Sequence, residues 1–134
     1  MEVTRIIHPI GQGAFYTESI KTNDNLYNVV YDCGSGNHKY TPKRLKQDIA
    51  SFYNPDDVID LLFISHFDND HINGIRELKK RTSNIRNIVV PLIEENDFWY
   101  YQIENPSFET FYRSLSEIAD SAVYRVKPYN EDEE

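Results

Sequence analysis

The sequence predicts an α/β fold, a mixed sheet with helices on one face. Three observations carry that reading. The opening third alternates β-branched runs with turn residues, the pattern of an antiparallel meander. Leu61-Leu62-Phe63-Ile64 is a continuous apolar run, which suits a strand covered on both faces. A short helical segment and a second such run, Asn87-Ile88-Val89-Val90, follow it. Strand, loop, helix, strand is the order of a βαβ unit, whose crossover is right-handed.

The elements follow in order. Residues 3–10 read as a strand, broken by Gly11-Gln12-Gly13. Residues 14–20 and 27–31 read as two more, separated by the turn Thr22-Asn23-Asp24-Asn25. Thr41-Pro42 has the form of an N-cap followed by proline in the first helical turn. Leu45, Ile49 and Phe52 then recur at helical spacing to about Tyr53. Residues 58–65 form the buried strand, and Ile75 to Arg81 a short helix with a basic end that suits the helix dipole. From Glu94 the helical pattern is weak. After Asn105-Pro106 it is strong: Phe108, Phe111, Tyr112, Leu115, Ile118, Ala119 and Ala122 fall on one stripe. Val123-Tyr124-Arg125-Val126 begins another strand.

With 134 residues, the chain has the size of one domain and can bury a real core. It has no apolar run near the ~20 residues that span a bilayer. Its N-terminus has no basic segment followed by a long apolar one, so a cytoplasmic location is expected, without a membrane partner. Cys33 is the only cysteine, which excludes an internal disulfide and a cysteine-based zinc cluster. Net charge is −8, and Asn130-Glu131-Asp132-Glu133-Glu134 holds four of those charges, leaving −4 for the rest. Such a chain is not expected to bind nucleic acid over its whole surface. It can act on a phosphate ester, nucleic acid included, if metal ions neutralise the site locally.

The chemistry concentrates in one loop. His66, Asp68, Asp70 and His71 lie within six residues, directly after the buried strand. Catalytic groups of open α/β sheets gather at the carboxyl ends of strands. Imidazole and carboxylate are ligand types for zinc, manganese and iron, and a tight loop can aim several at one point. The bland alternative is a solvated acidic turn with two unrelated histidines. Asp and Asn alone would favour it; the two histidines, the preceding strand and the following Gly74 favour metal binding.

Ser65-His66-Phe67-Asp68-Asn69-Asp70-His71-Ile72-Asn73-Gly74 resembles the signature of the metallo-β-lactamase superfamily, His-x-His-x-Asp-His followed by Gly. Asp68 stands in place of the second histidine. Ile10-Gly11-Gln12-Gly13-Ala14 is similar to the Val-Gly-Gln-Gly-Asp loop of the branch found in competence-type DNA-uptake proteins, with Ala14 where that branch often has Asp. Asn28-Val29-Val30-Tyr31-Asp32-Cys33-Gly34-Ser35 resembles that branch's strand ending in Asp-Cys-Gly. The branch commonly carries Asp at the position of Asp68.

The resemblance implies an αββα sandwich, of which these residues form the N-terminal half. It implies two divalent ions that ionise a bridging water for attack on phosphorus or carbonyl. His66 and Asp68 would lie on the side of the first ion, Asp70 and His71 on that of the second. Asp70 would also orient the nucleophile or accept its proton, and is the candidate catalytic residue. Zinc is the expected metal, with the harder carboxylate at Asp68 moving preference toward manganese or magnesium. The superfamily's later ligands are a third histidine, a bridging aspartate and a final histidine. No histidine follows His71, and Asp97 and Asp120 sit in no recognisable ligand segment. The domain is therefore expected to be a truncated portion over 1–128 with a disordered acidic tail over 129–134. It would hold part of the site, bind metal weakly and be inactive in isolation.

Asp32, at a strand end, is expected near the site as a turn-forming or ligand-orienting residue. Gly13 is expected in a turn beside the site; Gly11-Gln12-Gly13 lacks the spacing and lysine of a P-loop. His38, in the polar loop Gly36-Asn37-His38-Lys39, lies within possible reach of the site, whereas His8 reads as a structural strand histidine. Cys33 reads as a small buried side chain, and Lys79, Lys80, Arg81 and Arg86 as a solvated helix end. The function expected is a metal-dependent hydrolase, of phosphodiesters first, with a small-molecule or phosphodiester substrate and nucleic acid as a substrate only. Lactam, thioester or ester hydrolysis is the enzymatic alternative. A non-catalytic module that binds a partner, or its own copy through the exposed core of a half-fold, is the alternative from another class.

Overall fold

The computed structural model describes residues 1–127; the acidic tail expected over 129–134 lies outside them. Six strands form one sheet in sequence order. β1 (Glu2–Ile7), β2 (Gly13–Lys21) and β3 (Leu26–Ser35) are antiparallel neighbours. β4 (Val58–Phe63), β5 (Asn84–Pro91) and β6 (Ala122–Val126) then add in parallel to β3. Each parallel step needs a helical crossover. α1 (Lys43–Phe52) links β3 to β4, and α2 (Asn69–Ile72) with α3 (Ile75–Arg81) links β4 to β5. α4 (Phe98–Glu104) and α5 (Phe108–Ile118) link β5 to β6. Successive right-handed crossovers in an unbroken strand order place the helices on one face. The fold is thus α/β with a mixed sheet, as the strand and helix patterns predict.

Register explains which face is core. Val30, Leu62 and Ile88 align across β3, β4 and β5, and all three are fully buried beneath the helices. The next row, Tyr31, Phe63, Val89 and Tyr124, is shifted by one residue and points to the opposite face. There Tyr31 is 45% and Tyr124 55% exposed, so this face is apolar and open among the described residues. Leu45 and Ile49 of α1, Ile75 and Leu78 of α3, and Phe108 and Leu115 of α5 fill the covered side.

Several local features depart from the sequence pattern for identifiable reasons. The stripe from Phe108 to Ala122 spans two elements, because α5 stops at Ile118 and Ala122 opens β6. Asp120 makes that stop, accepting from the backbone N–H of Ile85 at 2.8 Å and from Lys79 at 2.6 Å. Thr41 does not cap α1. Its hydroxyl donates to the carbonyl of Asn73 at 2.5 Å, and the cap position falls to Pro42. The weak pattern after Glu94 resolves into a 3-10 turn at Glu95–Asp97 and α4. The motif loop itself contains the single turn α2.

His8 follows β1 rather than lying within it, yet its N–H still donates to Phe15 O at 2.9 Å. Its ring stacks on Phe15 at 4.1 Å, meets Phe52 edge-on at 4.7 Å, and bonds the buried Thr17 hydroxyl at 2.9 Å. Burial pushes the His8 pKa down, against the smaller opposing pull of Asp48. The unfolded chain therefore takes up this proton at a higher pH than the folded one. Stability is unaffected above pH ~6.5, where the ring is neutral in both states, and falls as pH drops below that value. Chemical denaturation between pH 7 and 5 should show a smaller loss of stability in His8→Phe than in the wild type. Equal slopes in the two proteins would refute the assignment.

Candidate metal centre

The site is built where β3 and β4 end side by side. Asp32 lies in β3, opposite the point where the register with β2 jumps: Phe15 pairs Cys33, but Tyr16 pairs Tyr31. Asp32 is the extra residue of this bulge, and its φ of 57° is the left-handed conformation. Aspartate tolerates that region better than most residues, at a cost on the order of 1 kcal/mol. The bulge turns its carboxylate inward, where it is 1% exposed. Asp32 Oδ1 accepts from the backbone N–H of Ser65 at 2.7 Å. Oδ2 accepts from the Ser65 hydroxyl at 2.5 Å and from His71 Nδ1 at 2.9 Å. One buried carboxylate thus ties the end of β4 to the motif helix. Donation from Nδ1 leaves His71 with Nε2 as its free nitrogen.

The other motif residues surround this anchor. His66 Nδ1 is 2.8 Å from Ser65 Oγ, so the same serine orients that ring. The His66 and His71 rings lie with centroids 3.7 Å apart. His66 Nε2 is 3.5 Å from Asp68 Oδ2, and His71 Nε2 is 3.7 Å from Asp70 Oδ1. Asp68 is exposed at the rim; His66, Asp70 and His71 are partly buried. Phe67, between the ligand-type residues, points the other way into the core against Phe108 and Tyr112. Its burial pins the loop from the inside.

Two overlapping constellations result, with His66 in both: Asp32, His66 and His71, and His66, Asp68 and Asp70. In each, one ligand atom per residue lies within 4.8 Å of the others. Ligands at ~2.0–2.2 Å from one ion are at most ~4.4 Å apart, so small side-chain adjustments bring each set to coordinating distance. The donor set, imidazole and carboxylate, fits a divalent cation of the zinc or manganese type.

Glycines set the backbone of this site. A Cβ on Gly34 would lie 2.5 Å from the Asp70 carbonyl carbon and 2.6 Å from the His71 nitrogen; one on Gly13 would lie 2.5 Å from the Asp70 oxygen. The hairpin of β2 and β3 is bare where the motif turn rests on it. Gly13, expected beside the site, therefore touches it through backbone. Gly34 was not singled out by sequence, though its place directly after Asp32-Cys33 is the available signal. His38 is exposed and belongs to neither constellation, but its carbonyl accepts from Asn73 Nδ2 at 2.9 Å. Asn73 stands in the signature segment without any role that its local sequence announces. It is buried, accepts from Ser35 N–H at 2.9 Å, and donates to the carbonyls of Ser35, Gly36 and His38.

Cys33 is buried with its thiol pKa pushed up by desolvation, so it is an inert packing residue here. Asp120 is committed to Lys79 and Ile85, far in function from a ligand.

Replacing Gly34 by alanine should displace the Asp70–His71 backbone and cost on the order of 2–4 kcal/mol. Thermal unfolding measures it, and a loss below about 0.5 kcal/mol would show that the close approach is not a constraint.

Comparison with curated proteins and with solved structures found no match. The family model of the metallo-beta-lactamase superfamily matches residues 22–127, which hold the bulged Asp32, the motif loop and all the parallel strands. The chain belongs to the metallo-beta-lactamase superfamily.

Proposed function

We propose that the protein is a metal-dependent hydrolase of phosphodiesters, from the carboxylate-richer branch of its superfamily that includes competence-type DNA-uptake proteins. The observation that carries the reading is the pair of ligand-type groups joined at His66, one of Asp32, His66 and His71 and one of His66, Asp68 and Asp70, with His71 held by the buried Asp32. His66, Asp68, Asp70 and His71 would hold the metal, zinc first or manganese and magnesium given the carboxylates. A bound divalent cation supplies Lewis-acid polarisation and a lowered water pKa.

The chain's own groups do the rest. Asp32 fixes the His71 tautomer and Ser65 the His66 ring, so both imidazoles keep a free lone pair aimed at the site. Asp70, partly buried beside His71, would orient a water or take its proton. The similarity of Ile10–Ala14 and Asn28–Ser35 to the competence-type branch supports the phosphodiester class over lactams and thioesters. A cytoplasmic setting is part of the proposal; no described helix is long and apolar enough to cross a membrane.

A second reading has its own observation. Among the described residues, the row Tyr31, Phe63, Val89 and Tyr124 is an apolar sheet face open to solvent. It favours a module covered by a partner or a second copy, which light scattering as a function of concentration would register as a dimer.

Calorimetric titration with zinc and with manganese tests the first reading. His66→Ala/His71→Ala should abolish metal binding, and no difference from wild type would refute the ligand assignment. Asp32→Asn should weaken metal binding by about 10–100-fold while leaving the ligands in place. Because this chain would hold only part of the site, bis(p-nitrophenyl) phosphate and nitrocefin are compared first by binding to the metal-loaded protein, and hydrolysis is read where the superfamily's later ligands are supplied. Tighter binding or preferred cleavage of nitrocefin would overturn the phosphodiester assignment.

A further inference from the structure

The residues of the motif turn that do not face the metal ligands line something else. Asn69, Ile72, Asn73 and Arg76 recur at helical spacing across α2 and the start of α3. Asp70 and His71 occupy other directions of the same turn. Against the first face lies a cavity of about 360 Å³, whose lining includes Lys39, Tyr40, Asn69, Arg76, Asn105 and Thr110. A cleft of about 290 Å³ continues it past the same Lys39, Tyr40 and Arg76 to Lys46 and Lys80.

The charge of this groove runs against that of the chain. Net charge is −8, yet among the described residues the only carboxylate lining either part is Glu77, which lies 3.8 Å from Lys46. Among the described residues, Lys39, Arg76 and Lys80 form no ion pair, whereas Lys79 and Arg86, from the same basic stretch of sequence, pair with Asp120 and Asp60.

The groove is also built rather than incidental. Arg76 donates to Ser114 Oγ at 3.0 Å. That hydroxyl is buried and spends its own proton on the Phe111 carbonyl at 2.7 Å. A neutral acceptor thus fixes the guanidinium without cancelling its charge, leaving its other donors for a ligand. The opposite wall, the loop with Lys39 and Tyr40, is tied to the motif turn. Asn73 donates to the carbonyls of Gly36 and His38, and Thr41 donates to the carbonyl of Asn73. Asn105, 3% exposed, closes the far end by donating to the carbonyl of Phe67, a residue of the motif loop itself. The loop wall and Asn105 are therefore bonded to residues of the segment that carries the metal ligands, and α5 is bonded to the groove through Arg76.

We propose that this groove binds the phosphates of a phosphodiester chain that flank the one presented to the metal centre, through Arg76, Lys39 and Lys80. The inference rests on the phosphodiester reading of the centre and extends it from a single ester to a polymeric substrate. Arg76 serves as the fixed fork and the two lysines as point charges. Tyr40, 78% exposed on the groove wall, offers a ring on which a base can stack.

Binding of a 5′-fluorescein-labelled hexathymidylate, followed by anisotropy in EDTA, tests this without metal chemistry. Three phosphate contacts predict about a 20-fold loss of affinity between 50 and 200 mM salt. In Lys39→Ala/Arg76→Ala that loss should shrink to about threefold, with affinity at 50 mM reduced at least tenfold. Lys39→Glu, a change at an exposed position, should weaken binding in the same direction with an unchanged melting temperature. Arg86→Ala, which removes a cation outside the groove, should alter affinity less than twofold. Absence of wild-type binding at 50 mM salt, an unaltered affinity in the double variant, or equal competition by polyglutamate would overturn the proposal. Because metal titration and hydrolysis are read separately, failure of the groove leaves the metal centre standing, and intact oligonucleotide binding with no metal uptake would mark failure of the centre instead.

Discussion

The structure depends on one carboxylate held in a costly backbone conformation. Asp32 sits at a β-bulge with positive φ, buried, and accepts three hydrogen bonds from Ser65 and His71. A buried carboxylate without such partners would cost several kcal/mol. Its burial is therefore conditional on the end of β4 and the motif turn being where they are. The dependence runs both ways, since Ser65 then orients His66 and Asp32 fixes His71. Bulge, strand end and metal loop form one unit.

Steric bareness makes that unit possible. The motif turn rests on the β2–β3 hairpin at Gly13 and Gly34, where a methyl group would overlap the Asp70 backbone. On the other side Phe67 is buried among aromatic rings of α5. A loop crowded with acidic residues would otherwise splay by self-repulsion. Here it is clamped between glycine backbone and an aromatic core, and the carboxylates of Asp68 and Asp70 are left at the surface of the clamp. Such preorganisation is what a metal site requires before any ion arrives.

The same turn serves two surfaces. One set of directions carries His71 to Asp32, with Asp70 beside it; the next carries Asn69, Asn73 and Arg76 toward a cationic groove. Asn73 is the joint, bonding Ser35 at the end of β3 and the loop that forms the groove wall. A centre for one ester and a groove for its neighbours would then share a single rigid support. The fold supplies that support at the carboxyl ends of β3 and β4, where parallel α/β sheets open.

Much of this was legible before the fold. The apolar runs at Leu61–Ile64 and Asn87–Val90 named the central strands, because an unbroken apolar run bounded by turns reads as a strand; the covering on both faces that such a run suggests is found on one face only among the described residues. The spacing of His66, Asp68, Asp70 and His71 named the candidate centre, because those side chains have few reasons to cluster except a ligand. What sequence did not determine was long-range. Asp32 was placed near the site but not as its anchor, since its partners are more than thirty residues away. Gly34, Asn73 and Ser65 carry no chemistry of their own and become important only through what touches them. The end of α5 escaped for the same reason, because Asp120 stops it with bonds to Lys79 and Ile85 across the sheet. Periodicity and ligand type are local properties and reside in the sequence. Close approach, register and hydrogen-bond partnership are relations between distant segments, and only the tertiary structure decides them.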